Sequence, residues 1–205
     1  PTSNLITQVS RGNIGLSVTL TALASLITVF TIPILLSKTI TYFTGDTDVV
    51  IQLPILEAML QILVITVIPI SIGMMIRKRR EAFALSMEKP MRTASTVLFV
   101  IIFLIIIIAN KDNLTQAMKE VGLPTLLLNL STMGLGFVSA KLFGITGKSQ
   151  ISITIESGIQ NGTLAFVIAT TILNNFEMGL PAGAYSIWMF ITGGFLMWRL
   201  GIKGD

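Results

Sequence analysis

Histidine and cysteine are absent from all 205 residues, and charge is scarce, with Asp, Glu, Lys and Arg together making up 12% of the chain. Without histidine there is no imidazole for acid–base chemistry, no His-based triad and no ordinary zinc site. Without cysteine, nothing in the sequence marks a redox compartment. Aspartate is thin as well: Asp46, Asp48, Asp112 and Asp205 all fall in predicted loops or at the terminus, so no buried Asp pair is available for intramembrane hydrolysis. No basic stripe is interleaved with exposed aromatics, which removes nucleic acid as a partner. An enzyme is not expected.

Apolar residues fill the space that charge leaves. They make up 52% of the chain, the mean hydropathy is +0.83, and a soluble domain carries about twice this charge. The composition predicts an all-α integral membrane protein, a polytopic helical bundle embedded in a lipid bilayer. A span needs about 20 mostly apolar residues. Stretches near 14–36, 53–76, 93–110, 123–143, 149–175 and 181–198 meet that length, and the whole of 1–205 reads as one transmembrane domain. Segment 3–10 is too short to cross and reads as the second half of a helix. The chain opens Pro1-Thr2-Ser3-Asn4, with no Met and no signal sequence, as the C-terminal part of a longer protein would. Its missing N-terminal half is then an expected partner.

Breakers and anchors fit these spans. Pro54, Pro124 and Pro181 lie near span starts, while Pro33 and Pro69 lie within spans, near their ends. Tyr42, Phe43, Phe176, Tyr185 and Trp198 are placed as an aromatic belt would be. Lys and Arg divide unevenly between the two sides. Arg11, Arg77, Lys78, Arg79, Arg80, Lys89, Arg92, Lys141, Lys148, Arg199 and Lys203 fall on one side; Lys38, Lys111 and Lys119 fall on the other. That bias predicts a multi-pass protein of the cell's inner or plasma membrane with a cytoplasmic C-terminus.

The polar run Glu156-Ser157-Gly158-Ile159-Gln160-Asn161-Gly162 interrupts the apolar segment 149–175. A carboxylate at that depth costs at least ~2.5 kcal/mol and is functional by default. Gly158 and Gly162 are expected to let the backbone leave the helix, and broken backbone at membrane depth is tolerated only where it lines a cavity. Glu156 and Gln160, four apart, share a face if the helix continues; if it breaks, the Ser157 and Ile159 carbonyls join the oxygen set. Such an arrangement binds coupling ions in secondary transporters. A structural Glu bonded to a neighbouring helix is the alternative. Ser17 and Thr21 form a second four-residue pair, and Ser3-Asn4 a third polar group. By themselves these could be interhelical hydrogen bonds or a helix cap. Glu57 reads as an acid snorkelling to the interface, and Gly134, Gly136, Ser139 and Ala140 as close helix packing.

Ser3-Asn4, then Arg11-Gly12-Asn13-Ile14-Gly15-Leu16-Ser17-Val18-Thr19-Leu20-Thr21, then Glu156-x-Gly158-x-Gln160-Asn161 resembles the bile acid–sodium symporter family over essentially the whole chain. The resemblance implies ten helices in two inverted repeats, with the fourth and ninth broken and crossing. Segment 3–10 would be the end of the fourth, and 149–175 the broken ninth. It implies two sodium ions as coupling ions. One site would use Ser3, Asn4, Ser17, Thr21 and Glu156; the other would use Gln160 and the carbonyls of Ser157 and Ile159, with a further Gln upstream of this chain. Asn161 would face the substrate. The family's Trp-His-Asn run is replaced by Trp188-Met189-Phe190, so an amide that could line the cavity is lost, which argues against bile acid itself. Position 1 is Pro where a relative can carry a hydroxyl residue. The implied function is sodium-coupled symport of an organic anion by alternating access. A proton-coupled or uncoupled carrier on the same scaffold is the alternative, followed by a non-transporting membrane sensor.

Overall fold

The computed structural model describes residues 2–44, 55–87, 89–91, 93–94, 97, 101 and 111–201, and contains no strand among them. Seven helices carry labels here: α1 (Thr2–Val9), α2 (Ile14–Thr44), α3 (Ile55–Arg79), α4 (Lys111–Leu142), α5 (Gly147–Gly158), α6 (Gly162–Val167) and α7 (Leu180–Gly201). Residues 81–87 are helical too. The stretches Ile14–Phe43, Met118–Leu142 and Glu177–Gly201 are each long and apolar enough to cross a membrane. Most of the expected span 93–110 lies outside the described residues, as do Pro54 and the side chain of Glu57.

The described residues fall into two compact units. One comprises residues within 22–97, with the greater part of α2, α3 and the helix after it. Arg77, Lys78 and Arg79 close α3, where positive charge complements the negative end of the helix dipole. The other unit takes its residues from 1–21 and 98–205. It contains α1, the first two turns of α2 and α4 to α7, and every candidate site residue belongs to it.

In this second unit α4 packs on both α5 and α7. The α4 helix begins at Lys111, well ahead of residue 123, so Pro124 sits inside it instead of near its start. The ring deprives one carbonyl of its helical donor, and the neighbouring Thr125 hydroxyl donates to the carbonyls of Val121 and Gly122. The helix ends in a Schellman turn: Ile145 N–H reaches Ala140 O, Gly144 N–H reaches Lys141 O, and Gly144 takes φ +71°. Only glycine holds that angle without strain.

The apolar segment breaks where the polar run predicted. Helix α5 stops at Gly158, residues 159–161 are non-helical, and α6 starts at Gly162. The cause differs from the expected one. Neither Gly158 nor Gly162 has positive φ, and the chain leaves the helix at Ile159 with φ −94° and ψ 96°, open to any residue. The glycines instead admit neighbours: a Cβ on Gly158 would lie 2.0 Å from Met133 Cγ of α4, and one on Gly162 2.2 Å from Ser186 Oγ of α7. Of the small residues expected to pack closely, Gly136 does so, against Ser157, whereas a Cβ on Gly134 would meet no atom of the described residues within 4 Å. After α6 a π-helical turn spans Ile168–Ile172, and the chain turns through Asn174 at φ +49°.

Around the break lies the core of this unit. Ile6 of α1, Ile155 and Ile159 at the end of α5, and Tyr185 and Met189 of α7 form one buried cluster. Tyr185 therefore departs from the belt position expected of it, while Tyr42, Phe43 and Trp198 are exposed. Phe190 packs against this cluster, and Trp188 anchors α7 by donating its indole N–H to Gly122 O of α4 at 2.8 Å.

Candidate functional site

Three helices bring the first polar set together. Helix α1 supplies Asn4, the start of α2 supplies Ser17 and Thr21, and the end of α5 supplies Glu156. Ser17 and Thr21, one turn apart, face the two oxygens of a single carboxylate. The Ser17 hydroxyl makes a very short hydrogen bond to Glu156 Oε1, and the Thr21 hydroxyl donates to Oε2 at 3.0 Å. Asn4 Oδ1 lies 2.7 Å from Ser17 Oγ and 3.4 Å from Thr21 Oγ1. Thr21 Oγ1 also lies 3.0 Å from Ser17 O. Ser17 is fully buried, and Glu156 and Asn4 are partly buried.

The cluster has more oxygens than protons. Asn4 Oδ1, Ser17 O and both Glu156 oxygens are acceptors, and the Ser17 and Thr21 hydroxyls have one proton each to offer them. No Lys or Arg pairs with Glu156 among the described residues. A partly buried carboxylate among converging neutral oxygens is a donor set suited to a hard monovalent or divalent cation. No group of three or more acidic, His or Cys side chains that could hold a metal ion occurs among the described residues, so the set combines one carboxylate with neutral oxygens.

Ser3, expected in the same set, is buried beside Asn4, but its hydroxyl joins none of these bonds. Thr7 was not anticipated. One turn after Asn4 and completely buried, it stands 3.3 Å from Ser17 Oγ. Its i, i+3 spacing from Asn4 was the available signal.

The second polar set lies at the break itself. Gln160 is exposed, and its Nε2 donates to Ser157 O at 2.7 Å. The Ile159 carbonyl accepts no hydrogen bond from the described residues. Gln160 and the Ser157 carbonyl are thus together, with the amide nitrogen on the carbonyl. Asn161 is the N-cap of α6: its Oδ1 accepts from Leu164 N–H at 3.0 Å. That bond fixes the amide orientation and leaves its NH2 group as the exposed polar face.

A third polar set was missed by sequence reasoning. Asn129 of α4 and Tyr185 of α7 both bond the Gly158 carbonyl, at 2.8 and 2.9 Å. An amide flanked by Leu126-Leu127-Leu128 and Leu130 was the overlooked signal, since a polar side chain at that depth needs a partner.

Residues 1–117, more than half the chain, match the model of the Sodium Bile acid symporter family. The chain belongs to that family. Asn4, Ser17 and Thr21 lie within the matched residues; Glu156 and the break lie beyond them. Full-chain similarities extend across both. The chain is 28% identical over 200 residues to the probable sodium/metabolite cotransporter BASS1, chloroplastic, of Arabidopsis thaliana, covering 96% of this chain and 48% of that protein. It is 26% identical over 194 residues to the uncharacterized sodium-dependent transporter YocS of Bacillus subtilis (strain 168), covering 95% and 58%. A rice protein of the BASS1 description is 24% identical over 199 residues, covering 96% and 47%. The chain spans about half the length of these curated relatives. Family membership, with three helices among the described residues long and apolar enough to cross a membrane, makes it a multi-pass membrane protein of a symporter family, in keeping with the expectation that it is not an enzyme.

Proposed function

We propose that the protein is a sodium-coupled symporter of an organic anion, working by alternating access. The observation that carries this reading is the Glu156 carboxylate, which faces Ser17, Thr21 and Asn4 oxygens with no basic partner among the described residues. A cation bound there would supply the missing positive charge, with Ser3 contributing if its hydroxyl turns toward the set. A second sodium would use Gln160 and the Ser157 and Ile159 carbonyls, once the Gln160 amide presents its oxygen instead of its nitrogen. The descriptions of the relatives as sodium/metabolite and sodium-dependent transporters support sodium as the coupling ion.

For the substrate, Asn161 supports an anion. Its oxygen is committed to the cap, so only N–H donors remain for a ligand, and donors select acceptors such as carboxylate. Phe190 packs in the core and offers no polar group, which favours a small carboxylate over a bile acid. The proposal includes a ten-helix inverted-repeat architecture, of which this chain would supply the second half, with six spans and a cytoplasmic C-terminus. The uneven split of Lys and Arg supports that orientation.

The test is uptake of small organic anions by the full-length protein in liposomes. An inward sodium gradient is expected to drive accumulation, and potassium in its place to abolish it. Accumulation driven by a pH gradient and indifferent to sodium would overturn the proposal in favour of proton coupling at Glu156.

A further inference from the structure

A helix that ends inside an apolar core leaves its last carbonyls without helical donors. In α5 these are answered in different ways. Ile155 O receives Ile159 N–H at 2.8 Å, and Ser157 O receives the Gln160 side chain. The Gly158 carbonyl is held from outside the broken helix, by Asn129 Nδ2 at 2.8 Å and the Tyr185 hydroxyl at 2.9 Å. These two donors lie 3.3 Å apart. Thr192 donates to Asn129 Oδ1 at 2.8 Å, which fixes the amide with its NH2 toward Gly158. Asn129 is completely buried and Tyr185 is 7% exposed.

One donor would satisfy this carbonyl. Two donors from separate helices, one of them oriented by a further hydroxyl, do more, because they immobilise the peptide that follows Gly158. In a dry core such a fully partnered network is stiff. Gly158 sits between Ser157 and Ile159, whose carbonyls belong to the proposed second cation site. We infer that Asn129 and Tyr185, with Thr192 behind them, are positioning residues for cation binding: by holding the Gly158 carbonyl they fix the spread of the two flanking carbonyls. They take Gly158 itself out of the ligand set and do not touch the ion. This inference rests on the sodium-coupled reading above.

The experiment measures the sodium dependence of uptake and of thermal unfolding in the full-length protein. Tyr185→Phe removes one O–H and keeps the ring in its cluster; Asn129→Leu keeps the volume and removes the donor to Gly158, while the Thr192 hydroxyl retains its bond to Trp188 O. The half-saturating sodium concentration is expected to rise roughly three- to tenfold in each, the worth of one buried hydrogen bond. Melting in potassium should change little, and substrate affinity at saturating sodium should match the wild type. An unchanged half-saturating sodium concentration overturns the inference, even if melting falls, since a purely structural contact would behave that way. Should either variant fail to fold, Thr192→Val keeps both donors yet frees the amide, and must show the same direction of shift. Failure of the sodium reading looks different: the wild type is then insensitive to sodium, or Glu156→Ala remains sensitive.

Discussion

Ser17 of α2 and Glu156 of α5 are hydrogen-bonded across 139 positions of sequence, and one turn earlier Asn13 and Ser152 are joined across the same 139. The Ser152 hydroxyl donates toward Asn13 O and Lys148 O at 3.0 Å and accepts Asn13 N–H at 2.7 Å. Equal offsets mean that residues 13–17 and 152–156 run in the same direction where they meet. The next pair in that register would be Thr21 with Gln160. Helix α5 ends before Gln160, and Thr21 reaches Glu156 Oε2 instead. The break is therefore what gives one carboxylate two hydroxyl partners.

Removing the carboxylate should remove the cation response. A ligand that binds only the folded state stabilises it by about 2.7 kcal/mol at a hundredfold excess over its dissociation constant. The full-length protein is expected to melt higher in sodium than in potassium, and Glu156→Ala to melt alike in both. A sodium-specific rise that survives in Glu156→Ala would move the cation elsewhere.

Ser17→Ala and Thr21→Val each delete one hydroxyl from the cluster and keep the helix intact. Each is expected to raise half-saturating sodium roughly fivefold, corresponding to about 1 kcal/mol for a lost hydrogen-bonding partner. Because both touch the same carboxylate, the double variant should depart from additivity. Sodium titration of uptake in the two single variants and the double checks this.

At Asn161 two roles can be separated. Asn161→Asp keeps an oxygen for Leu164 N–H and so keeps the cap, but presents a negative charge in place of the NH2 group. Melting should be unchanged while the substrate KM rises by tenfold or more. Asn161→Ala should also lose about 1 kcal/mol of stability with the cap. Equal uptake by the wild type and Asn161→Asp would remove Asn161 from the substrate site.

The packing role of Gly158 gives a stability prediction. A Cβ there would meet Met133 Cγ at 2.0 Å, so Gly158→Ala should cost about 1–3 kcal/mol through forced displacement of the Met133 side chain. Met133→Ala in the same protein should recover part of that loss, which chemical or thermal unfolding of the pair would reveal. If the glycine were needed for its backbone freedom instead, trimming Met133 would recover nothing.

Much of the polar cluster around Glu156 is legible because its signals are local. An acid in an apolar run and a Ser–Thr pair one turn apart each declare a polar face at depth. That Ser17 and Glu156 meet is a long-range relationship, implied by the resemblance and not by spacing. The break at 159–161 was read from its polar residues, but its glycines were assigned the wrong task. Sequence cannot tell a glycine that turns the chain from one that admits a neighbour, and Gly158 and Gly162 admit Met133 and Ser186. Tyr185 was misplaced for a related reason: near a predicted span end, a tyrosine at an interface and one whose hydroxyl reaches inward to a freed carbonyl look the same. Asn129 was overlooked because its partner, a main-chain oxygen, has no signature in side-chain identity.

The common offset of 139 also governs how the cluster can come apart. Two rods joined at one point can pivot; joined at two points a turn apart, they cannot roll or slip against each other without parting both joints. Ser152–Asn13 and Glu156–Ser17 are two such joints. The first turn of α2 and the second half of α5 are thus held together at two points, and inserting one residue between Asn13 and Ser17 would swing the hydroxyl about 100° off its carboxylate while leaving every residue of the cluster in the sequence.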